Sequence, residues 1–258
     1  MRITRLSFCL LLAILLATAC EEVQGPPGGI TTGSAAGFVK LYDEFGFLLQ
    51  EKQGVTVTVS DTEPVVSATT NASGRYQLDD LETGTYEIEF SKEGFVTYTY
   101  MFRFVAGPVT EYLGFIDMVE LSSTVVSGLE IEFDQEMGMY RVRCKLQPEP
   151  LPDNPINIRY FIGDSEQVSS SNYSSTVLEH FDYLYNDMIG SSPGQIEYFS
   201  WDLTDLLWEY PTGTTVYVVA HGCPENAGSY EDLNGNMVFP GINPTGSNIV
   251  SCTIPGFE

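Results

Sequence analysis

His180 and His221 are the only imidazoles in this 258-residue chain, and a hydrolytic triad would need one of them beside a nucleophile and an acid. His221 follows the apolar run VYVVA and stands next to Gly222, whereas His180 lies in EHFDYLYNDM. Neither setting supplies the other two members, so both are expected at surface or turn positions. Carboxylates recur two apart, as Glu87 with Glu89 and Glu130 with Glu132. On a strand such pairs share one face, where they could flank a sugar or hold a cation, but solvated outer faces look the same, and that is the expectation here. Asp232, Asn234 and Asn236 alternate around Gly235, offering hard oxygen ligands to a calcium ion. The acid such a loop needs six residues after its glycine is absent, because position 241 is Gly241. Asn234-Gly235 is also a strong hairpin signal, so a plain hairpin is expected.

Trp201 and Trp208 stand in a mixed polar context and are the candidate aromatic ligand contacts. Tyr98, Tyr100, Phe102 and Phe104 alternate along one strand-like run and are expected to face a core. No CxxC or CxxH spacing occurs, which argues against a zinc site; no catalytic residue, metal or cofactor is expected. Cys144 alternates with basic neighbours in YRVRCKL and Cys252 sits in a similar pattern, so both should point inward. With Cys223 they make three, so at most one bridge can form among them, and inert buried thiols are an equal reading.

Cys20 has a different character. Arg2 and Arg5 precede an apolar segment from Leu6 to Ala19, too short to span a bilayer as a helix and ending on Thr18-Ala19. This is the pattern of a secretion leader, and the cysteine placed directly after it is additional. Leu16-Ala17-Thr18-Ala19-Cys20 resembles the lipobox of bacterial lipoproteins, although Ala17 stands where a larger aliphatic is usual. The resemblance implies cleavage after residue 19 and acylation of Cys20, including palmitate-like chains. At about 0.8 kcal/mol per buried methylene, two or three chains make attachment effectively permanent. Glu21-Glu22, where inner-membrane retention would favour aspartate, points to the outer membrane and leaves open which face is displayed. GPPGG, Gly25 to Gly29, is a single collagen-like copy and reads as part of a tether.

The formal charge is −24, from 11 Lys plus Arg against 35 Asp plus Glu. Loss of Arg2 and Arg5 with the leader would lower it by two more. Nucleic acid and anionic lipid surfaces both require cationic contacts and are disfavoured as partners. Hydrophobic residues reach 43%, enough for packed cores and against an acidic disordered chain.

These residues must be positioned by strands. VTVTV (Val55 to Val59), YEIEF (Tyr86 to Phe90) and FVTYTYMFRF (Phe95 to Phe104) alternate with period two, and turn residues recur at short intervals. The spacing predicts an all-β chain of two consecutive β-sandwich domains, with helix only as an amphipathic piece around Val177 to Ile189. The expected organisation is a leader over 1–19, a tether over 20–33, a first sandwich over 34–121 and a second over 122–258.

In the first sandwich, GFVKLYDEFG, GVTVTV, TTNASGRYQL and LETGTYEIEFSKEGF resemble the carboxypeptidase regulatory-like domain. That resemblance covers roughly a third of the chain and implies a seven-stranded transthyretin-like sandwich of the carbohydrate-binding-like fold group, an accessory module with no catalytic residue of its own. The second sandwich, through MYRVRCKL, INIRYFIG, IEYFSWDL and TTVYVVAHG, is immunoglobulin-like or fibronectin-III-like in strand pattern only. The expectation is a lipid-anchored, non-enzymatic binding or assembly protein, with an outer-membrane β-barrel or other envelope protein as partner, or alternatively a glycan.

Overall fold

The computed structural model describes residues 31–151, 154–181, 193–226, 228–231, 235 and 237–256. The expected leader, Cys20, nearly all of the expected tether, and Asp232, Asn234 and Asn236 lie outside the described residues.

The first sandwich contains β1 (Thr32–Tyr42), β2 (Thr56–Val59), β3 (Ser67–Thr69), β4 (Arg75–Glu82), β5 (Gly84–Ser91), β6 (Tyr98–Phe104) and β7 (Glu111–Val119). Its sheets run β4-β1-β7 and β3-β2-β5-β6. β1 pairs antiparallel with β4 and parallel with β7, and it starts within the segment expected to be tether. Alternation decides what is buried: Val39 and Leu41 turn inward to meet Val57, Val59, Leu78, Ile88, Phe90 and Met118, while Phe38 and Lys40 turn outward.

The turn that opens β4 is fixed locally. The Asn71 side-chain oxygen accepts from the backbone N–H groups of Ser73 and Arg75, both at 3.0 Å. Gly74 has φ +82°, and a Cβ there would lie 2.2 Å from the Val39 carbonyl oxygen, so only glycine fits. The aromatic face of β6 fills from one end: Phe102 and Phe104 are buried, Tyr100 is half-buried and Tyr98 is exposed. The expected core face is thus a core only over its second half, because β6 is an edge strand.

The second sandwich contains β8 (Val125–Asp134), β9 (Met139–Gln147), β10 (Ile156–Gly163), β11 (Ser175–Phe181), β12 (Gln195–Ser200), α1 (Trp201–Trp208), β13 (Thr215–Cys223), β14 (Tyr230–Glu231), β15 (Met237–Val238) and β16 (Val250–Thr253). Its sheets run β12-β9-β8 and β11-β10-β13-β16, and β14 with β15 forms a separate hairpin. Val142, Leu146, Ile158, Tyr160, Ile196, Val216 and Val218 fill the space between the two sheets.

The helix expected around Val177 to Ile189 is a strand over its first part. Residues 175–181 pair antiparallel with β10, so Val177 and Phe181 pack on the core while Leu178 faces away; residues 182–189 lie outside the described set. Among the described residues, helix forms at α1. The Ser200 hydroxyl caps it by accepting from the Leu203 N–H at 2.9 Å, and Leu203, Thr204 and Leu207 are its buried face. The Thr204 hydroxyl also accepts from the Tyr140 N–H at 2.9 Å, tying α1 to β9.

Contacts cross between the two units near the linker. The Glu44 carboxylate accepts from the Ser123 N–H at 2.8 Å and from the hydroxyls of Ser122 and Ser123. The Glu225 N–H donates to the Glu44 carbonyl at 2.7 Å.

Candidate functional site

Trp201 and Trp208 are seven positions apart on α1, which brings them to within about 20° of one another around the helix axis and about 10 Å apart along it. Both lie on the outer side, 70% and 48% exposed, with Asp205 also exposed between them. The buried Leu203 and Leu207 fix this orientation, since they occupy the opposite face. The sequence-predicted pair is therefore brought to one surface.

A second aromatic surface was not anticipated. Tyr112 and Phe115 are 59% and 58% exposed on β7. Strict alternation would put them on opposite faces, but the register with β1 shifts between Ala36 and Phe38, and Gly114 takes φ +85°. This is a bulge, the device by which a strand re-aims a side chain. It sets Tyr112 and Phe115 beside Phe38, with ring centroids 5.6 to 6.4 Å apart. On β4, across β1 from β7, Arg75 donates to Gln77, Gln77 to Asp79, and Ser34 of β1 also donates to Asp79. The Ser34 and Gln77 donors hold the Asp79 carboxyl below the usual range. The glycine in EYLGF was the available signal, but a glycine inside a strand does not reveal which neighbours a bulge unites.

Among the acids expected to be solvated, Glu87 and Glu89 are exposed. Glu130 and Glu132 are exposed too, but they take part in an ion-pair network: Arg143 lies 3.3 Å from Glu130, 3.7 Å from Glu132 and 3.2 Å from Glu197. Arg141 pairs with Asp134 and Glu197.

The surface reading of His221 is corrected. It is buried within β13, edge-on to Phe161, and its Nδ1 donates to the Asn243 carbonyl at 2.8 Å. Burial pushes its pKa down, partly opposed by that bond. The reason is that β13 sits inside its sheet and the segment near Gly246 closes over the outer face, where a Cβ on Gly246 would fall 2.7 Å from the imidazole. His180 is on β11, with Nδ1 2.5 Å from Asn157 Oδ1 and 3.2 Å from Glu225 Oε2.

Cys144, Cys223 and Cys252 are all buried and none is bridged to another. Burial raises the Cys144 thiol to about 12 and the Cys252 thiol to about 11. Cys223 is raised as well, against the lowering effect of the Arg159 guanidinium in hydrogen-bond contact with it. Thiolate chemistry at neutral pH is thereby suppressed at all three.

Of the calcium-type loop, the described flanks form a hairpin, with Tyr230 opposite Val238 and Glu231 opposite Met237, and Gly235 at φ +84°. Among the described residues there is no group of three or more His, Cys, Asp or Glu placed to hold a metal ion.

No curated protein matches the chain. Several solved structures are similar. A cohesin–X-dockerin complex from Acetivibrio cellulolyticus is 21% identical over 34% of this chain and 58% of that one, at a TM-score of 0.28, so the match spans little more than half of its partner. A candidate carbohydrate binding protein from Bacteroides uniformis is 13% identical, covering 86% of this chain and 99% of that one, at 0.27. A DUF3823 family protein from the same species is 12% identical, covering 86% and 100%, at 0.30. Similarity this weak says nothing of ligand or partner. A family model for the carboxypeptidase regulatory-like domain matches residues 50–114, which run from the loop after β1 through β2 to β6 and into β7. The first sandwich of this chain thus carries a carboxypeptidase regulatory-like domain.

Proposed function

We propose that the protein is a non-catalytic binding or assembly module of the cell envelope, anchored in the outer membrane through lipid on Cys20. The observation that carries the binding role is the match of residues 50–114 to a regulatory-like domain, since the family resemblance implies an accessory module. Consistent with it, the groups that nucleophilic chemistry would draw on are engaged in packing: the three thiols are buried and held protonated, and His221 is closed in behind Gly246. Anchoring rests on the leader and on Leu16 to Cys20 in the sequence. Affinity isolation of the lipidated protein from its own envelope tests the role. Stoichiometric recovery of a β-barrel or another envelope protein supports it, whereas turnover of a substrate by the purified chain contradicts it.

A carbohydrate-binding reading is favoured by one specific feature, the placing of Trp201 and Trp208 on the same exposed side of α1. Indole rings offer large apolar area with one polar N–H, a combination suited to the apolar face and hydroxyl rim of a sugar. Retention of the wild type, but not of Trp201→Ala, on immobilised neutral polysaccharides is the expected result. Equal retention of both removes this reading and leaves the protein-assembly one.

A further inference from the structure

On the outer face of the β11-β10-β13-β16 sheet, opposite the main core, a cavity of about 310 Å³ is lined by Asn157, Arg159, His180, Cys223 and Glu225. The strands bring these residues together by register: Asn157 is opposite both His180 and Cys223, and Arg159, two positions along β10, shares its face. Arg159 is held in place, with its guanidinium 4.0 Å from the Phe239 ring centroid, a stacking geometry suited to arginine and not to lysine. Its Nε is buried without an acceptor. No carboxylate among the described residues lies within ion-pairing distance of it, whereas Arg141 and Arg143 on β9 each have carboxylate partners. A guanidinium that has no counter-ion among the described residues and whose buried Nε has no acceptor is the kind of unsatisfied group that an ion or ligand accounts for.

The other side of the cavity is already organised. Asn157 Nδ2 donates to Glu225 Oε2 at 2.8 Å, and His180 Nδ1 approaches the same carboxylate at 3.2 Å. Glu225 therefore has partners of its own, while Arg159 has no carboxylate partner among the described residues. A ligand whose charge is confined to one end can set it on Arg159 and keep it away from Glu225, whereas charge at both ends would meet the Glu225 carboxylate. The amide and the carboxylate offer both donors and acceptors to hydroxyls, and the volume is at the lower end of small-molecule sites.

We propose that this cavity binds a hydroxylated monocarboxylate of monosaccharide size, with the carboxylate on the Arg159 guanidinium and hydroxyls toward Asn157 and Glu225. The site goes beyond the assembly role, and it is separate from the tryptophans of α1, so loss of one leaves the other measurable.

Isothermal titration of the purified chain with D-galacturonate and D-glucuronate, against D-galactose and inorganic phosphate, tests it. The expected result is saturable binding of at least one uronate, with galactose and phosphate at least tenfold weaker. Arg159→Gln should weaken uronate binding tenfold or more, and Arg159→Lys should restore only part of it, because lysine keeps the charge and loses the planar fork. Should Arg159→Gln fail to fold, the wild-type Arg159 Nε–H resonance, followed by NMR during uronate titration, provides the readout and is expected to shift saturably. Absence of uronate binding, an unmoved Arg159 resonance, unchanged affinity in a folded Arg159→Gln protein, or tighter binding of phosphate overturns the proposal. Retention on neutral polysaccharide through Trp201 is expected to be unaffected by Arg159→Gln.

Discussion

The Glu44 carboxylate, in the loop after β1, accepts the backbone N–H of Ser123 at 2.8 Å, so an acid of the first sandwich caps the segment that leads into the second. The Ser122 and Ser123 hydroxyls converge on the same carboxylate, and the Glu44 carbonyl takes the Glu225 N–H. Removal of this carboxylate leaves the Ser123 N–H and hydroxyl to water and takes that acceptor from the buried Ser122 hydroxyl. Glu44→Ala should cost about 1 kcal/mol, the low end for a charge-assisted bond because Ser123 is exposed. Calorimetry is expected to show a broadened or split unfolding transition as the two units lose coupling; a single transition at an unchanged temperature would show that the clasp contributes nothing.

Ser200 has two roles, capping α1 and donating to the buried Glu179. Ser200→Ala should destabilise the second sandwich by about 1 to 2 kcal/mol through loss of the cap, measured by urea unfolding. Ser200→Asp would restore a cap but set a second acid beside Glu179, and so should not rescue.

Glu179 itself gives a pH dependence of known sign. Burial raises its pKa above the ordinary value of 4.5, with Asp202 adding to the shift and the Ser200 donor opposing it. The folded chain then holds this proton more tightly than the unfolded one. Its favourable contribution is fully present below the ordinary value and is lost as pH rises through the folded value. Glu179→Gln, which keeps an acceptor for Ser200, should flatten that fall, and its stability relative to wild type should increase as pH rises above about 4.5. Urea midpoints that stay parallel across this range would contradict the assignment.

Buried thiols predict slow chemistry. Cys144, Cys223 and Cys252 should be unreactive toward a disulfide reagent at pH 8 in the native protein and react fully in guanidinium chloride. Rapid native labelling of any of the three would mean that its sandwich opens locally.

Much of the architecture was legible because period-two alternation is a direct record of which face is buried. MYRVRCKL places Tyr140, Val142, Cys144 and Leu146 inside and Arg141, Arg143 and Lys145 on the other face, and β9 does this. The turn at Asn71 to Gly74 was equally readable, since its geometry is set by local side-chain bonds and one positive φ. Legibility failed where tertiary context decided. VLEHF carries both helical and alternating spacing, and pairing with β10 selected the strand. α1 went unseen because its cap, Ser200, is the last residue of β12, so the helix begins without an intervening loop. The tryptophans were singled out by type, but only the helix shows that they share a side. The Arg159 cavity could not be read at all, because Phe239 and Glu225 reach it from distant segments.

The bulged face of β7 should be separable from stability. Phe115→Ser removes an exposed ring from the Phe38, Tyr112 and Phe115 group, and its effect on unfolding should stay within about 0.5 kcal/mol. Gly114→Val, forced to adopt a positive φ, should destabilise by more than that. If the two variants are equally stable, the bulge is not the device that holds these rings together.

The anchoring claim is tested most directly by metabolic labelling with a palmitate analogue, followed by membrane fractionation of wild type and Cys20→Ala. The wild type is expected to carry label and to sediment with outer membranes, and Cys20→Ala to be unlabelled and released from them. An unlabelled wild type, or a Cys20→Ala protein that stays in the membrane fraction, would contradict a lipid-anchored module.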